Sequence, residues 1–171
     1  MKKLVILGFG GYGRTIEDVV LSGELFDEIN FLDDNARHTR VKGACKEFAK
    51  FIAEDTWFYP AFGNNNLRVE WLNMLSNAGA QIATIIHPSA YVGRNAVIEK
   101  GTAVLPNAVV NTYSTVRMGC IVNFGVLIDH DCVLEEGCHL APGVVIKAEN
   151  RIPAGMKIEA GTVIENRQYP L

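Results

Sequence analysis

The chain has 171 residues, of which 49% are hydrophobic and 20% are charged, with a net charge of −3. This composition supports one or two folded domains, and the lack of a basic surplus argues against a nucleic-acid-binding protein. No apolar run reaches the about 18 residues that a membrane span needs, and the four cysteines show no zinc-type or redox spacing. We therefore expect a reduced, cytoplasmic protein without nucleic-acid or membrane partners.

The first half of the chain alternates predicted strands with predicted helices. Short apolar runs predict strands over residues 3–7, 28–32, 57–62 and 81–85. Apolar residues at helical spacing predict helices over residues 14–21 and 67–78. Alternation of this kind is typical of a small parallel sheet of Rossmann type, an α/β domain that we place at residues 1–84.

From Ile86 onward, aliphatic residues recur at every sixth position. We call these fourteen residues the anchors: Ile86, Val92, Ile98, Val104, Val110, Val116, Val122, Ile128, Leu134, Leu140, Ile146, Ile152, Ile158 and Ile164. A helix has a period of 3.6 and an exposed strand a period of two, so neither explains a period of six. The pattern predicts a second domain over residues 85–171, a parallel β-helix in which the anchors point toward the axis.

A second set of mostly small residues lies four positions after each anchor. It includes Cys120, Cys132 and Cys138, which we expect to be buried core thiols and not metal ligands. Turns that need unusual backbone angles are predicted at seven glycines: Gly101, Gly119, Gly125, Gly137, Gly143, Gly155 and Gly161.

The segment GFGGYG at residues 8–13 has the spacing of a dinucleotide-binding fingerprint. It follows the first strand and opens the first helix, and Asp33 and Asp34 follow the second strand. Its glycines would let the backbone approach a diphosphate at the helix N-terminus, with an acid on a ribose or base. The alternative is a tight turn without a ligand. An NAD oxidoreductase is less favoured than a protein for a smaller nucleotide diphosphate, because few residues precede the β-helix.

The segment GNNN at residues 63–66 follows the third strand, at the sheet edge where α/β proteins bind ligands. Its amides are suited to hydrogen bonds with a nucleobase or a sugar. The alternative is an asparagine cap for the helix that follows at Leu67, and the two roles are compatible.

The segment Asp129–Cys132 (DHDC) is the candidate for acid–base chemistry. Its neighbours in the repeat point inward, so His130 is predicted to face outward beside two acids, as a general base requires. The alternative is a solvated histidine in a polar turn. A further alternative is zinc binding between subunits by His130 and His139, as in γ-class carbonic anhydrases. The coils contain no third histidine apart from His87 at their edge.

Five segments in the same order resemble one family: GFGGYG (8–13), FLDD (31–34), FGNN (62–65), IHPSAYVG (86–93) and NFGVLIDHDCVLEEGCHLAPG (123–143). They are similar to the hexapeptide-repeat sugar acyltransferases of the sialic-acid O-acetyltransferase group, which includes UDP-4-amino-sugar N-acetyltransferases. The resemblance implies a left-handed β-helix and direct transfer from acetyl-CoA to an amino or hydroxyl group of a nucleotide-linked sugar or sialic acid. It further implies a role in cell-surface polysaccharide biosynthesis and a homotrimer with its active site between subunits, where the N-terminal domain delivers the sugar.

The resemblance also implies individual roles. His130 would be the general base and Asp131 would tune it, while His139 and Gly143 would contact acetyl-CoA. No metal is expected. The sugar-nucleotide site would comprise Gly11, Tyr12, Gly13, Asp33, Asp34, Gly63 and Asn64.

The chain departs from the family in two respects. Tyr12 stands where many relatives have histidine. Relatives usually continue further after the position of His139, and Glu149 replaces the turn glycine expected in the hexad at Ile146. A shortened CoA site keeps a second hypothesis open, a non-catalytic or degenerate sugar-nucleotide-binding protein.

Overall fold

The computed structural model describes residues 1–35 and 38–171, which form two compact units, Met1–Ala83 and Thr84–Leu171. The elements of the first unit are β1 Lys3–Leu7, α1 Gly11–Ser22, β2 Glu28–Leu32, a 3₁₀ segment Cys45–Phe51, β3 Thr56–Pro60, α2 Asn65–Asn77 and β4 Gln81–Ile82. The four strands are parallel, in the order β2-β1-β3-β4. The predicted Rossmann-like sheet is confirmed.

The sheet is covered on both faces, as its continuous apolar strands predict. Residues 4–7 of β1 are all buried, and Val5 and Leu7 pack with Phe48 and Leu75 in one cluster. Because the strands are parallel, the loops after β1, β2 and β3 meet at one edge of the sheet. This edge carries the candidate ligand site.

Two predicted strands are shorter in the structure. The third strand ends at Pro60, and the following residues turn toward the start of α2. The predicted strand over residues 81–85 ends at Ile82. Ile85 instead donates its N–H to the carbonyl of Thr102 at 2.9 Å and so begins the ladder of the second unit.

The second unit contains fourteen two-residue strands, and every anchor is the second residue of a strand. They are β5 Ile85–Ile86, β6 Tyr91–Val92, β7 Val97–Ile98, β8 Ala103–Val104, β9 Val109–Val110, β10 Thr115–Val116, β11 Ile121–Val122, β12 Leu127–Ile128, β13 Val133–Leu134, β14 His139–Leu140, β15 Val145–Ile146, β16 Arg151–Ile152, β17 Lys157–Ile158 and β18 Val163–Ile164. Each strand pairs in parallel with the third strand along the chain, which gives three sheets around one core. The predicted parallel β-helix is confirmed.

The turns of the β-helix follow one backbone pattern. A positive φ recurs at every sixth residue from Gly101 to Arg167, and the seven predicted glycines all adopt it. Asp131 and Glu149 adopt it too, with φ of 56° and 60°. For a residue with a side chain this conformation costs about 1–2 kcal/mol. Glu149 therefore occupies a position that glycine would take more easily.

The small inward residues also supply hydrogen bonds. The cysteines of the β-helix are buried free thiols, as predicted. Polar side chains of this inward set donate a hydrogen bond to the backbone carbonyl fifteen residues later in the chain. These pairs are Thr102–Arg117 (2.9 Å), Ser114–Asp129 (2.6 Å), Cys120–Glu135 (3.1 Å), Cys132–Lys147 (3.3 Å), Cys138–Pro153 (3.1 Å) and Asn150–Glu165 (2.9 Å).

Candidate active site

A cleft of about 640 Å³ lies at the carboxyl edge of the N-terminal sheet. We call it the N-terminal cleft. Its volume is within the range of about 300–1,000 Å³ that is usual for small-molecule sites. It is bordered by the loops that follow β1, β2 and β3. Six of the seven residues predicted to bind a sugar nucleotide line it: Gly11, Tyr12, Asp33, Asp34, Gly63 and Asn64.

The glycine-rich loop forms an open cradle at the start of α1. The N-cap residue Gly10 offers no side-chain cap, and a Cβ on Gly10 or Gly11 would meet nothing within 4 Å. The first N–H groups of a helix lack partners within the helix, so this end is suited to an anion. Gly13 does not line the cleft. A Cβ there would lie 2.0 Å from the carbonyl oxygen of Gly8, so Gly13 permits close packing of helix and strand.

The two acids at the end of β2 fix the loops around the cleft. Asp33 accepts a hydrogen bond from the N–H of Phe9 at 2.7 Å, and Asp34 accepts one from the N–H of Cys45 at 2.8 Å. Both carboxylates also line the cleft. Their contribution to loop structure was not predicted from the sequence.

Asn64 fulfils the capping role that was considered as an alternative. Its Oδ1 accepts the N–H of Leu67 at 3.0 Å, and α2 begins directly after it. The residue nevertheless lines the cleft, so the cap and the ligand-binding prediction remain compatible.

Arg68 was missed by the sequence analysis, although it is fully buried. Its guanidinium donates to the carbonyl of Phe62 and to Oδ1 of Asn65, both at 2.8 Å. It therefore ties the loop after β3 to α2. A signal was present in the sequence, because Arg68 shares a helical face with the buried Leu72 and Leu75 and so places a charge in an apolar stripe.

Tyr12 contacts a second tyrosine through its hydroxyl. Its hydroxyl is 2.7 Å from the hydroxyl of Tyr59, a residue that sequence analysis did not single out. Burial first, and then Tyr59, raise the pKa of Tyr12 well above its usual value. The phenol is therefore neutral at physiological pH and serves as a hydrogen-bonding group.

The remaining wall of the cleft is aromatic and contains one thiol. The rings of Phe62 and Trp71 lie 6.0 Å apart and offer an apolar surface for a planar base. Burial, together with the charges of Asp34 and Asp33, raises the pKa of Cys45 to about 12. This thiol is protonated at neutral pH, which excludes it as a thiolate nucleophile.

His130 lies on the outside of the β-helix, in the turn Asp129–Cys132, which we call the His130 turn. Its Nδ1 is 2.7 Å from Oδ2 of Asp131. Oδ1 of Asp129 accepts the backbone N–H of His130 at 2.7 Å and a hydrogen bond from Asn111 at 3.2 Å. With Nδ1 engaged by a carboxylate, Nε2 carries the lone pair of the neutral imidazole.

The surrounding carboxylates favour the protonated form of His130. The hydrogen bond with Asp131 and the charges of Asp129, Asp131 and Glu149 raise the pKa of His130, against a smaller desolvation effect. Glu149 donates its backbone N–H to the carbonyl of His130 at 3.3 Å, and its carboxylate pairs with Arg167. A base whose pKa is raised above the usual histidine value is suited to proton transfer near neutral pH.

The other predicted positions lie further along the β-helix. His139 is half-buried on β14, opposite Ile121 and Lys157. Gly143 is a turn residue with φ of 71°, and its N–H donates to the carbonyl of Phe124. Nδ1 of His87 contacts Ser89 at 2.7 Å. Within residues 1–35 and 38–171, no three His, Cys, Asp or Glu side chains are grouped to hold a metal ion.

Comparison with known proteins shows what this chain is similar to. Residues 3–75 match the PglD N-terminal domain. The chain is 31% identical over 113 residues to the UDP-N-acetylbacillosamine N-acetyltransferase of Bacillus subtilis (strain 168), covering 61% of this chain and 52% of that protein. The chain is therefore similar to a sugar N-acetyltransferase over this stretch. It spans about half the length of this Bacillus relative, and the predicted resemblance is confirmed.

Solved structures share the fold of this chain. The acetyltransferase domain of PglB from Neisseria gonorrhoeae FA1090 superposes with a TM-score of 0.90 at 29% identity, over 98% of this chain and 84% of that one. The same domain has been solved with acetyl coenzyme A. PerB from Caulobacter crescentus, solved with CoA and GDP-perosamine, shares the fold with a TM-score of 0.85 at 22% identity, over 100% of this chain and 92% of that one. The predicted fold class, a Rossmann-like domain followed by a left-handed β-helix, is confirmed. Within the described residues, no helix is both long and apolar enough to span a membrane.

Proposed function

We propose that this protein is an acetyl-CoA-dependent N-acetyltransferase acting on a nucleotide-linked amino sugar, in the cytoplasm and in the biosynthesis of cell-surface polysaccharide. The observation that carries this proposal is the His130–Asp131 pair, held on the outer surface of a β-helix whose relatives include acetyltransferases. The glycine cradle of the N-terminal cleft supports a substrate with a diphosphate. The acetyl-CoA complex of the PglB domain supports acetyl-CoA as the donor.

The sugar nucleotide is proposed to bind in the N-terminal cleft. Its diphosphate would lie at the start of α1, where the backbone of Gly10 and Gly11 is open. Asp33 or Asn64 would hydrogen-bond the ribose, the base or the sugar, and the Phe62–Trp71 surface would support the base. These assignments rest on the position of each group along one continuous cleft.

The proposed reaction is direct transfer between the two substrates. The acceptor amine attacks the thioester carbonyl while Nε2 of His130 takes a proton from that amine. The carbon–sulfur bond then breaks, and the CoA thiolate receives the proton from the imidazolium. Asp131 would stabilise the imidazolium during this exchange. His139 and Gly143 are proposed to contact acetyl-CoA on the β-helix.

We further propose that three copies associate through one face of the β-helix. The outer residues of the sheet β18-β15-β12-β9-β6 are apolar, and Tyr91, Leu127 and Val163 are 59%, 45% and 46% exposed in the single chain. Exposed apolar side chains that adjoin along one sheet are suited to an interface. Light scattering should give a trimer mass for the native protein and a smaller mass for Leu127→Glu.

Calorimetry with acetyl-CoA and a UDP-linked amino sugar tests the proposed function. A transferase binds both ligands, whereas a non-catalytic sugar-nucleotide-binding protein binds only the second. Gly11→Leu should fill the cradle and abolish sugar-nucleotide binding while acetyl-CoA still binds. Asp18→Leu, on an exposed part of the same helix, should bind both. Failure of the native protein to bind acetyl-CoA would overturn the proposal, and metal analysis tests the zinc-enzyme alternative.

A further inference from the structure

Ser114 lies inside the β-helix, directly beneath the His130 turn. It is fully buried. Its Oγ donates to the carbonyl of Asp129 at 2.6 Å and accepts the N–H of Cys132 at 3.0 Å. One hydroxyl therefore joins the first and last residues of the turn that carries His130 and Asp131.

Ser114 satisfies the hydrogen bonding of two backbone groups, the carbonyl of Asp129 and the N–H of Cys132. A buried carbonyl or N–H that loses its hydrogen bond costs about 1–3 kcal/mol, so the turn would shift to recover one. The turn has further bonds: the N–H of Asp129 donates to the carbonyl of Ile146 at 2.9 Å, and the buried thiol of Cys132 lies 3.6 Å from the carbonyl of His130. Oδ1 of Asp129 accepts the N–H of His130, and the N–H of Asp131 donates to the carbonyl of Thr112 at 3.2 Å. Ser114 differs from these contacts because its one hydroxyl bonds both ends of the turn, Asp129 and Cys132, from within the core.

A second turn of the same β-helix has the same arrangement without a histidine. Thr102 is also fully buried, and its Oγ1 donates to the carbonyl of Arg117 at 2.9 Å and accepts the N–H of Cys120 at 3.3 Å. The turn that it joins, residues 117–120, contains none of the residues assigned to the reaction. Thr102 therefore makes the same two types of hydrogen bond as Ser114, at a turn that carries no residue assigned to the reaction.

We propose that Ser114 is a positioning residue for His130, a buried clamp that keeps the imidazole against Asp131 and aims Nε2 at the acceptor amine. The catalytic part of this inference rests on the proposed function. The geometric part rests on the two hydrogen bonds of Ser114 alone. An imidazole displaced by about 1 Å loses catalytic rate by up to about 100-fold without a matching loss of substrate affinity.

Steady-state kinetics of three variants test the clamp. Ser114→Ala should lower kcat by about 10- to 100-fold while the KM for each substrate changes little. Thr102→Val removes the equivalent hydroxyl and should reduce stability but leave kcat near the native value. Ser114→Cys should have a kcat between those of the alanine variant and the native protein, because a thiol can make the same type of bond. The thiol of Cys132 donates to the carbonyl of Lys147 in the next turn on the same side of the β-helix.

Titration of the His130 imidazole by NMR, without substrates, provides a readout independent of activity. The charged neighbours Asp129, Asp131 and Glu149 are the same in every variant. Loosening of the Asp131 contact should therefore lower the pKa of His130 toward its usual value in Ser114→Ala and not in Thr102→Val. If Ser114→Ala does not fold, the titration is done on Ser114→Cys. The weaker thiol bond should still lower the pKa of His130, and an unchanged pKa would overturn the clamp.

The outcomes separate the two proposals. Native protein without acetyl transfer would overturn the proposed function, and the titration would still decide the clamp. Active native protein with unchanged kcat and an unchanged His130 titration in Ser114→Ala would overturn the clamp alone. An equal loss of kcat in Thr102→Val would also overturn it, because the effect would then be a general weakening of the coil.

Discussion

The two units of this protein hold their candidate sites in different ways. The His130 turn has the same backbone form as the other positive-φ turns of the β-helix, and the core repeat determines which of its side chains face outward. The N-terminal cleft instead joins three unlike loops, each fixed by its own contact: Asp33 with Phe9, Asn64 with Leu67, and Arg68 with Phe62. A site on a repeat inherits its geometry from the core, whereas a site at a sheet edge depends on individual hydrogen bonds.

The largest effect is expected at the outward histidine of the β-helix. His130→Ala removes the proposed base and should lower kcat by about 10²–10⁴-fold, the usual contribution of general acid–base catalysis. His87→Ala, in the same unit, is the control and should retain near-native activity. The measurement is CoA release at saturating substrate. Native activity in His130→Ala would remove the base assignment.

In the N-terminal unit, the largest effect should come from the buried guanidinium. Arg68→Met removes the guanidinium hydrogen bonds to the part-buried carbonyl of Phe62 and Oδ1 of Asn65 and should destabilise the protein by about 1–3 kcal/mol in total. Urea unfolding should show this loss, and affinity for the sugar nucleotide should fall with it. The exposed Arg94→Met provides the control and should unfold like the native protein. An unchanged midpoint would show that the loop is held by other contacts.

In the core of the β-helix, the size of the inward residue should matter most. Cys138→Leu overfills a fully buried position and should destabilise the protein by about 1–3 kcal/mol. Cys138→Ser keeps both the size and a donor for the carbonyl of Pro153, so it should cost less. Thermal unfolding of the two variants measures the difference. Equal stability would contradict the tight inward packing.

The smallest expected effect is a shift in pH dependence. Asp131 raises the pKa of His130, so the acid limb of kcat/KM should lie above the usual histidine value. In Asp131→Asn the imidazolium loses its carboxylate partner and its pKa falls. The acid limb should therefore move to lower pH, with a lower plateau. A limb that moves to higher pH, or does not move, would contradict the assigned role of Asp131.

The sequence predicted the β-helix more completely than the N-terminal cleft. A strict period of six determines which residues point inward, so the anchors, the core cysteines and the outward position of His130 all follow from register. The hydrogen bonds of Ser114 do not follow from it, because a period separates inward from outward and does not reveal which carbonyl a hydroxyl reaches. In the cleft, Tyr12 contacts Tyr59, and Gly13 packs closely against the carbonyl of Gly8. Both contacts depend on the tertiary structure, so no local sequence pattern predicts them.

The most direct test of the account is a turnover assay with the native protein. Acetyl-CoA is mixed with a UDP- or GDP-linked amino sugar, and CoA thiol and acetylated sugar are measured together. We expect the two products to form in equal amounts, and only when both substrates are present. Binding of both substrates without formation of either product would contradict it.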